Sequence, residues 1–446
     1  MNPKKHETKS PRGLAASTSF FQVIVGALAG LLLSLPATSE PLRVGTSGDY
    51  APFSVLVVSD GQNHFTGLAP SLARAFARDQ AMELEFVPFR WGHLEKDLQA
   101  GAFDVAMSGV TVRPERSLIG RFSLPITTSG AVLLVPNTSP YKEVEDLDHN
   151  NLAIAVNAGG HLEKVTRSRF MQAQIRSLEK NENVIRALAN GEVNAAVTDT
   201  REAISWRHNY PGLRAIGPFT RDRKAFLVDA SQPELARKLD AWLLRAQADG
   251  QFDAILKKEL NEKLDTSPVT GPLAALLAAI DERLALMPWI AEVKRASHMT
   301  IEAPAIETRV LAAAIDSVRS AEKRNPLSEQ HTEAEVKNFY RALIEAAKAV
   351  QRQTLMKPRR DLHLVLPDLD EELRPALERI SDRIAMLLVA LPQNISPEQI
   401  ETGVQTELIS TQLPEKEKKD LAQSLIALTS PHPDEPTSKT EWPPRP

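Results

Sequence analysis

The spacing of apolar positions changes once along this chain, near residue 264. Before that point, short apolar runs alternate with stretches of helical spacing, a strand–helix alternation. The runs Leu42–Gly45, Glu83–Pro88 and Phe103–Met107 predict strands, with helices over Leu68–Asp79 and Leu94–Ala100 between them. Thr46 to Phe53, with Gly48 and Pro52, reads as a loop. A second cycle predicts strands at Ala131–Val135, Leu152–Val156 and Ala195–Thr198, and helices at Glu163–Arg169 and Asn183–Asn190. Lys224–Val228 and a helix over Pro233–Asp249 return the chain to the first lobe. This order predicts a two-lobed parallel α/β domain over 40–263, whose ligands sit at the carboxyl ends of the strands.

Residues 264–271, rich in Ser, Thr, Pro and Gly, read as a linker. Beyond them strand signals vanish. Helical periodicity runs over Leu273–Ala296, Ala305–Glu322, Glu333–Thr354, Leu369–Leu391, Pro397–Thr411 and Glu415–Leu428. The expected fold class is therefore an α/β two-lobed domain followed by an all-α domain over 272–429. The tail from 430 to 446, dense in proline, is expected to be disordered.

The amino end changes the compartment. Lys4, Lys5, Lys9 and Arg12 precede an apolar run from Phe20 to Leu35, then the small residues Ala37 and Ser39. That is the form of a signal peptide over 1–39 cut near Ser39, which implies a periplasmic protein with no membrane attachment afterwards. Removing the leader takes four cations and Glu7, so the formal charge falls from −4 to about −7. Charges of both signs are interspersed with no basic stripe, which argues against a nucleic-acid partner. With no cysteine in the chain, disulfide staples and thiol chemistry are excluded.

Phe103-Asp-Val-Ala-Met-Ser108-Gly109-Val-Thr111, followed by Pro114-Glu115-Arg116, resembles the periplasmic binding proteins for polar amino acids. The closer resemblance is to the cyclohexadienyl dehydratases, through Gly45–Tyr50, Trp91, Val156–Gly160 and Thr198–Ala203. It implies a ligand site of Asp49, Trp91, Ser108, Thr111, Arg116, Asn157, Gly160, His161 and Asp199, with Glu202 as general acid. The chemistry fits those residue types. A guanidinium such as Arg116 grips a substrate carboxylate, and a departing hydroxide needs a protonated acid, hence a Glu202 of raised pKa, with Trp91 as an apolar wall. The chain departs from the family at Ala131, where a lysine is expected, and at His161 and Leu162, where threonine and asparagine are expected.

Ile280-Asp-Glu-Arg283-Leu-Ala-Leu-Met-Pro288, with Lys294, Phe339-Tyr340, Ala346–Gln351 and Leu373-Arg374, resembles the secreted, gamma-class chorismate mutases. Arg283 and Lys294 lie close to three turns apart, so one continuous helix would project both from one face. The resemblance implies that Arg283 and Arg374 hold carboxylates, while Lys294 and Gln351 donate to the ether oxygen. Here too the pattern is broken. Ala303 and Ile306 stand where an aspartate and an arginine are expected, Arg295 replaces an aromatic residue, and Arg309 lies one turn beyond Ile306.

Together these features point to an exported bifunctional enzyme that carries chorismate through prephenate to phenylpyruvate, or arogenate to phenylalanine. It would use small-molecule substrates and need no cofactor or metal, and a homodimer through the helical domain is compatible with it. The rival reading is a periplasmic receptor fused to a degenerate mutase domain. The sequence leaves prephenate and arogenate equally open as substrates.

Overall fold

The structure, a computed structural model, describes residues 40–59, 61–260, 271–325, 330–358, 365–393 and 395–430. The expected leader, most of the linker and the proline-rich tail from Pro431 lie outside the described residues. In chain order the strands are β1 (Leu42–Thr46), β2 (Asp49–Tyr50), β3 (Ser54–Ser59), β4 (Gln62–Thr66), β5 (Leu84–Pro88), β6 (Val105–Thr111) and β7 (Gly120–Phe122). There follow β8 (Thr127–Ser129), β9 (Ala131–Pro136), β10 (Ala153–Asn157), β11 (Gln174–Leu178), β12 (Ala195–Asp199), β13 (Leu213–Ile216) and β14 (Asp222–Asp229).

The first lobe is built on a six-stranded sheet ordered β5–β1–β6–β14–β7, with β8 also beside β14. The second is a five-stranded sheet ordered β11–β10–β12–β9–β13. Both are mixed, which corrects the expected parallel sheet. β5–β1–β6 and β11–β10–β12 are parallel, but β9 runs antiparallel to β12, and β14 antiparallel to β6. The cause is the double crossing between lobes: β9 enters the second sheet and β14 returns to the first, each against the local direction. A third sheet, the meander β2–β3–β4, occupies part of the expected loop and the segment after it. Most of β3 and β4 is exposed, so alternation gave no signal there.

The helix Leu68–Asp79 buries Leu68, Leu72 and Phe76, spaced four apart, against the first sheet. In the second module the helices are Pro272–Ala285, Met287–Ala296, Pro304–Arg324, Glu333–Met356, Arg374–Val389, Pro397–Glu407 and Glu415–Thr429. A reciprocal cap between Thr332 and Glu335 starts the fourth of them. The single helix expected over Leu273–Ala296 is broken at Leu286. Pro288 has no N–H to donate back to Leu284, so the ladder is interrupted there. A five-residue π-helix, Leu369–Leu373, leads directly into Arg374.

The two modules share one core. A continuous buried cluster runs from Leu42, Phe76 and Trp242 to Leu276, Phe339, Leu388 and Leu425. At the seam, Arg223 of β14 pairs with Asp281 at 2.6 Å and with Glu407 at 3.0 Å, all three buried. Arg379 donates to the carbonyls of Ser117 and Leu118 at 2.9 and 2.7 Å, which close the helix Pro114–Ile119. Among the described residues, no helix is long and apolar enough to cross a membrane.

Candidate active sites

The cleft between the lobes is lined by Tyr50, Trp91, Gly109, Thr111 and Arg116 from one side and by Asn157, Gly160, His161, Asn181 and Glu202 from the other, with Lys224. Its cavity is about 40 Å³. The lobes are shut backbone to backbone, since a Cβ on Gly159 would lie 2.4 Å from the Cα of Gly92. Gly159 has φ 75, a left-handed conformation that also favours glycine.

Glu202 opens the helix Glu202–Asn209 and is fully buried. Thr198 donates to one of its oxygens and Asn181 to the other, both at 2.6 Å. Burial pushes its carboxyl well above the usual carboxylate range. The bonds from Thr198 and Asn181 pull the other way, and the charge of Asp199 adds to the rise. The polar surroundings of Glu202 thus come from its own lobe. Trp91, expected as its apolar wall, instead stands edge-on to Tyr50 and Phe89 and donates to Asp49 at 3.2 Å.

Asp199, the last residue of β12, is wholly buried. One oxygen accepts from the backbone N–H of Arg201 and of Glu202, both at 2.9 Å. The other faces the Tyr50 hydroxyl and lies 3.2 Å from Lys224 Nζ. Lys224 also donates to Tyr50 Oη at 3.0 Å and Thr111 Oγ1 at 2.9 Å. Arg116 is buried and held by Glu95 at 3.1 Å and by the Thr111 carbonyl at 3.1 Å. One of its guanidinium nitrogens, Nη2, is buried with no hydrogen-bond partner. Burial, with Arg113 nearby, brings its pKa down to about 9.

His161 begins the helix His161–Arg169 at the cleft wall, not on an exposed loop, with Nε2 2.9 Å from Asp222. Burial lowers its pKa against the pull of that carboxylate. Of the remaining expected residues, Ser108 lies behind the cleft and accepts from Ser47 N at 3.0 Å. Asp49 sits at the rim, its carbonyl accepting from Asn181 at 3.0 Å. Tyr50, Asn181 and Lys224 join the site although they did not stand out in the sequence. For Lys224 there was a signal: a cation opening the otherwise apolar run Ala225–Val228.

A second cavity, of about 490 Å³, lies inside the helical module. Arg283, Lys294, Gln351 and Arg374 all line it, although the break at Leu286 places the first two on separate helices. Arg283 is buried with Nε and Nη1 unpartnered, and Gln351 Oε1 is likewise unpartnered. Burial lowers the pKa of both Arg283 and Lys294. Lys294 donates to the carbonyl of Ile301 at 3.1 Å, and Arg374 pairs with Asp370. Ala303, Ile306 and Arg309 line the same cavity. Lys348 enters as a further cation, held by Glu307 at 3.2 Å and Glu345 at 2.7 Å. The unpaired donors of Arg283, with Lys294 and Arg374 lining a partly open space of this size, suit an anion of several heavy atoms.

Bacterial extracellular solute-binding proteins, family 3, match residues 42–262, and chorismate mutase type II matches residues 274–352. The cyclohexadienyl dehydratase of Pseudomonas aeruginosa is 30% identical over 217 residues, which cover 48% of this chain and 80% of that protein. An arginine-binding protein of an ABC transporter from Escherichia coli is 26% identical over 237 residues, 51% of this chain and 95% of that protein. A solved structure of an ancestral amino acid-binding protein, described as a precursor of cyclohexadienyl dehydratase, is 33% identical. It covers 49% of this chain and 95% of that chain, with a TM-score of 0.46.

Proposed function

Because the chain belongs to the bacterial extracellular solute-binding proteins, family 3, and carries a chorismate mutase type II domain, we propose that it is an exported enzyme with two consecutive activities. The helical module rearranges chorismate to prephenate. The two-lobed module dehydrates prephenate or arogenate. The single observation that carries the second step is Glu202, buried in the cleft with its pKa pushed up by that burial. A dehydratase needs such a group to protonate the departing hydroxide.

The mutase step makes and breaks bonds within one molecule and needs neither nucleophile nor metal. The cavity has to hold the folded substrate and stabilise charge on the breaking ether oxygen. Arg283 and Arg374 are placed to hold the two carboxylates, and Lys294 with Gln351 to donate to the ether oxygen. In the dehydration, Glu202 gives its proton to the ring hydroxyl as the C–O bond breaks. The bond to the ring carboxylate supplies the electrons that complete the aromatic ring, releasing carbon dioxide and water. Arg116 Nη2 is the donor free to meet the side-chain carboxylate.

The extracellular family supports export, with the leader removed near Ser39. Mass spectrometry of the purified periplasmic protein should find an amino terminus near Glu40. The function is tested by incubating the mature protein with chorismate, then separately with prephenate, and following phenylpyruvate. Phenylpyruvate from both supports two activities, and from prephenate alone a dehydratase with an idle mutase domain. From neither, with tight amino-acid binding, it supports the receptor reading.

A further inference from the structure

The dehydratase reading of the cleft leaves open whether the substrate carries a keto group or an ammonium, and the surroundings of Asp199 decide it. A ligand ammonium entering a buried cleft needs a carboxylate with free acceptor capacity, because an unpaired buried cation is costly. Asp199 has none to offer. Its Oδ1 is taken by two backbone N–H groups and its Oδ2 by the Tyr50 hydroxyl and the Lys224 ammonium. Lys224 is equally committed, with its three donors facing Asp199, Tyr50 and Thr111. Its ammonium also lies 5.3 Å and 5.8 Å from the ring centres of Tyr50 and Phe53, which hold it in place.

The rest of the lining offers no alternative anion. Among the described residues lining the cleft Glu202 is the one acid, with both oxygens accepting, from Thr198 and Asn181, while Asp49 stands outside at the rim and accepts from Trp91 at 3.2 Å. Asp222 stands behind His161 and accepts from Thr220 at 2.8 Å. The other charged side chains of the lining, Arg116 and Lys224, are cations. They attract a carboxylate and repel an ammonium.

We infer that Lys224 sets the substrate class of this cleft: its ammonium occupies Asp199, the buried carboxylate behind the cleft that a ligand's ammonium would need, so the site takes a 2-keto acid and turns away the 2-amino counterpart. This rests on the dehydratase reading and goes beyond it by selecting prephenate over arogenate.

The test compares kcat/KM for prephenate and arogenate in the wild type, Lys224→Met and Lys224→Met/Asp199→Asn, with thermal unfolding of each to establish that it is folded. The wild type is expected to prefer prephenate by at least roughly tenfold, the scale of one modest interaction. Lys224→Met frees a buried carboxylate, so arogenate turnover should rise while prephenate turnover falls. The double variant removes that carboxylate and should lose the gain. Equal use of both substrates by the wild type overturns the inference, as does an unchanged ratio in folded Lys224→Met. If the wild type dehydrates neither compound, the dehydratase reading fails, and calorimetry with arginine and glutamine tests Lys224 by itself. Binding to Lys224→Met but not to the wild type upholds its role, and binding to the wild type overturns it.

Discussion

Ser117, the neighbour of Arg116 in the cleft module, donates its hydroxyl to Glu282 at 2.8 Å, and Glu282 is the neighbour of Arg283 in the helical cavity. Glu282 also pairs with Arg383, whose guanidinium reaches the carbonyl of Phe122. A residue beside each site is therefore fixed to a residue beside the other. Among the described residues, these contacts fall on β14, β7 and the helix Pro114–Ile119 of the first lobe.

That seam should make the two modules unfold together. Arg223→Met leaves Asp281 buried without its cation and Glu407 with Arg221 alone, and breaking such a buried pair costs about 3–5 kcal/mol. Urea unfolding of the wild type should show one transition, because the apolar core is continuous across the seam. The variant should shift that transition to lower urea without splitting it. Two separated transitions in the wild type would contradict a shared core.

The assignment of Glu202 predicts a selective loss. Glu202→Gln keeps the size and one of the two acceptor oxygens, toward Thr198 or Asn181, but removes the transferable proton. Dehydration of prephenate should fall by at least ~100-fold while KM changes only a few-fold. The sign of the pH dependence follows from the direction of the shift. The active form is the protonated one, so kcat is expected on a plateau at low pH and declines as pH rises through the elevated pKa. A rate that climbs over that range would assign Glu202 the opposite role.

Strand and helix order was legible in the sequence because apolar spacing reports burial directly. Leu68–Asp79 is predicted and found with the same bounds. The meander β2–β3–β4 was not legible, since its exposed strands carry little apolar alternation. Nor was the break at Leu286, because Pro288 interrupts a hydrogen bond without changing the apolar stripe. In the cleft, Thr111, Arg116 and Glu202 were reached through the resemblance to a known family, and all three line the cavity. Tyr50 and Lys224 reach Asp199 across the cleft from the first lobe, and Asn181 reaches Glu202 from another helix of the second, long-range pairings that local pattern does not encode.

The mutase cavity is testable through the donor aimed at the ether oxygen. Lys294→Ala should abolish turnover of chorismate with no loss of helical circular dichroism, since the side chain's one described bond is to the Ile301 carbonyl. Ala303 and Ile306 both line the cavity, so Ala303→Asp with Ile306→Arg would restore two polar contacts. Each such contact is worth roughly 2–4 kcal/mol in the transition state, about two to three decades, so kcat/KM should rise by at least about two decades. No turnover in either the wild type or the restored protein would make the domain structural.

Asp240 provides a stability test independent of either activity. It is fully buried beside the seam and accepts from the N–H of Leu124 at 2.8 Å. Burial raises its pKa from 3.8 to about 7, with Arg383 pulling down and Glu282 pushing up. The folded protein therefore binds a proton that the unfolded chain has already released above about pH 4. Stability contributed by the neutral form is full below the unfolded pKa and is lost as pH rises through about 7. Asp240→Asn keeps the acceptor for Leu124 and cannot ionise. Thermal unfolding from pH 5 to 8 should show the wild type losing stability relative to Asp240→Asn, with the gap levelling off above pH 8. Other buried acids such as Glu202 titrate in both proteins and cancel in the difference. Parallel curves would mean that Asp240 is ionised throughout, and that Arg383 compensates its burial fully.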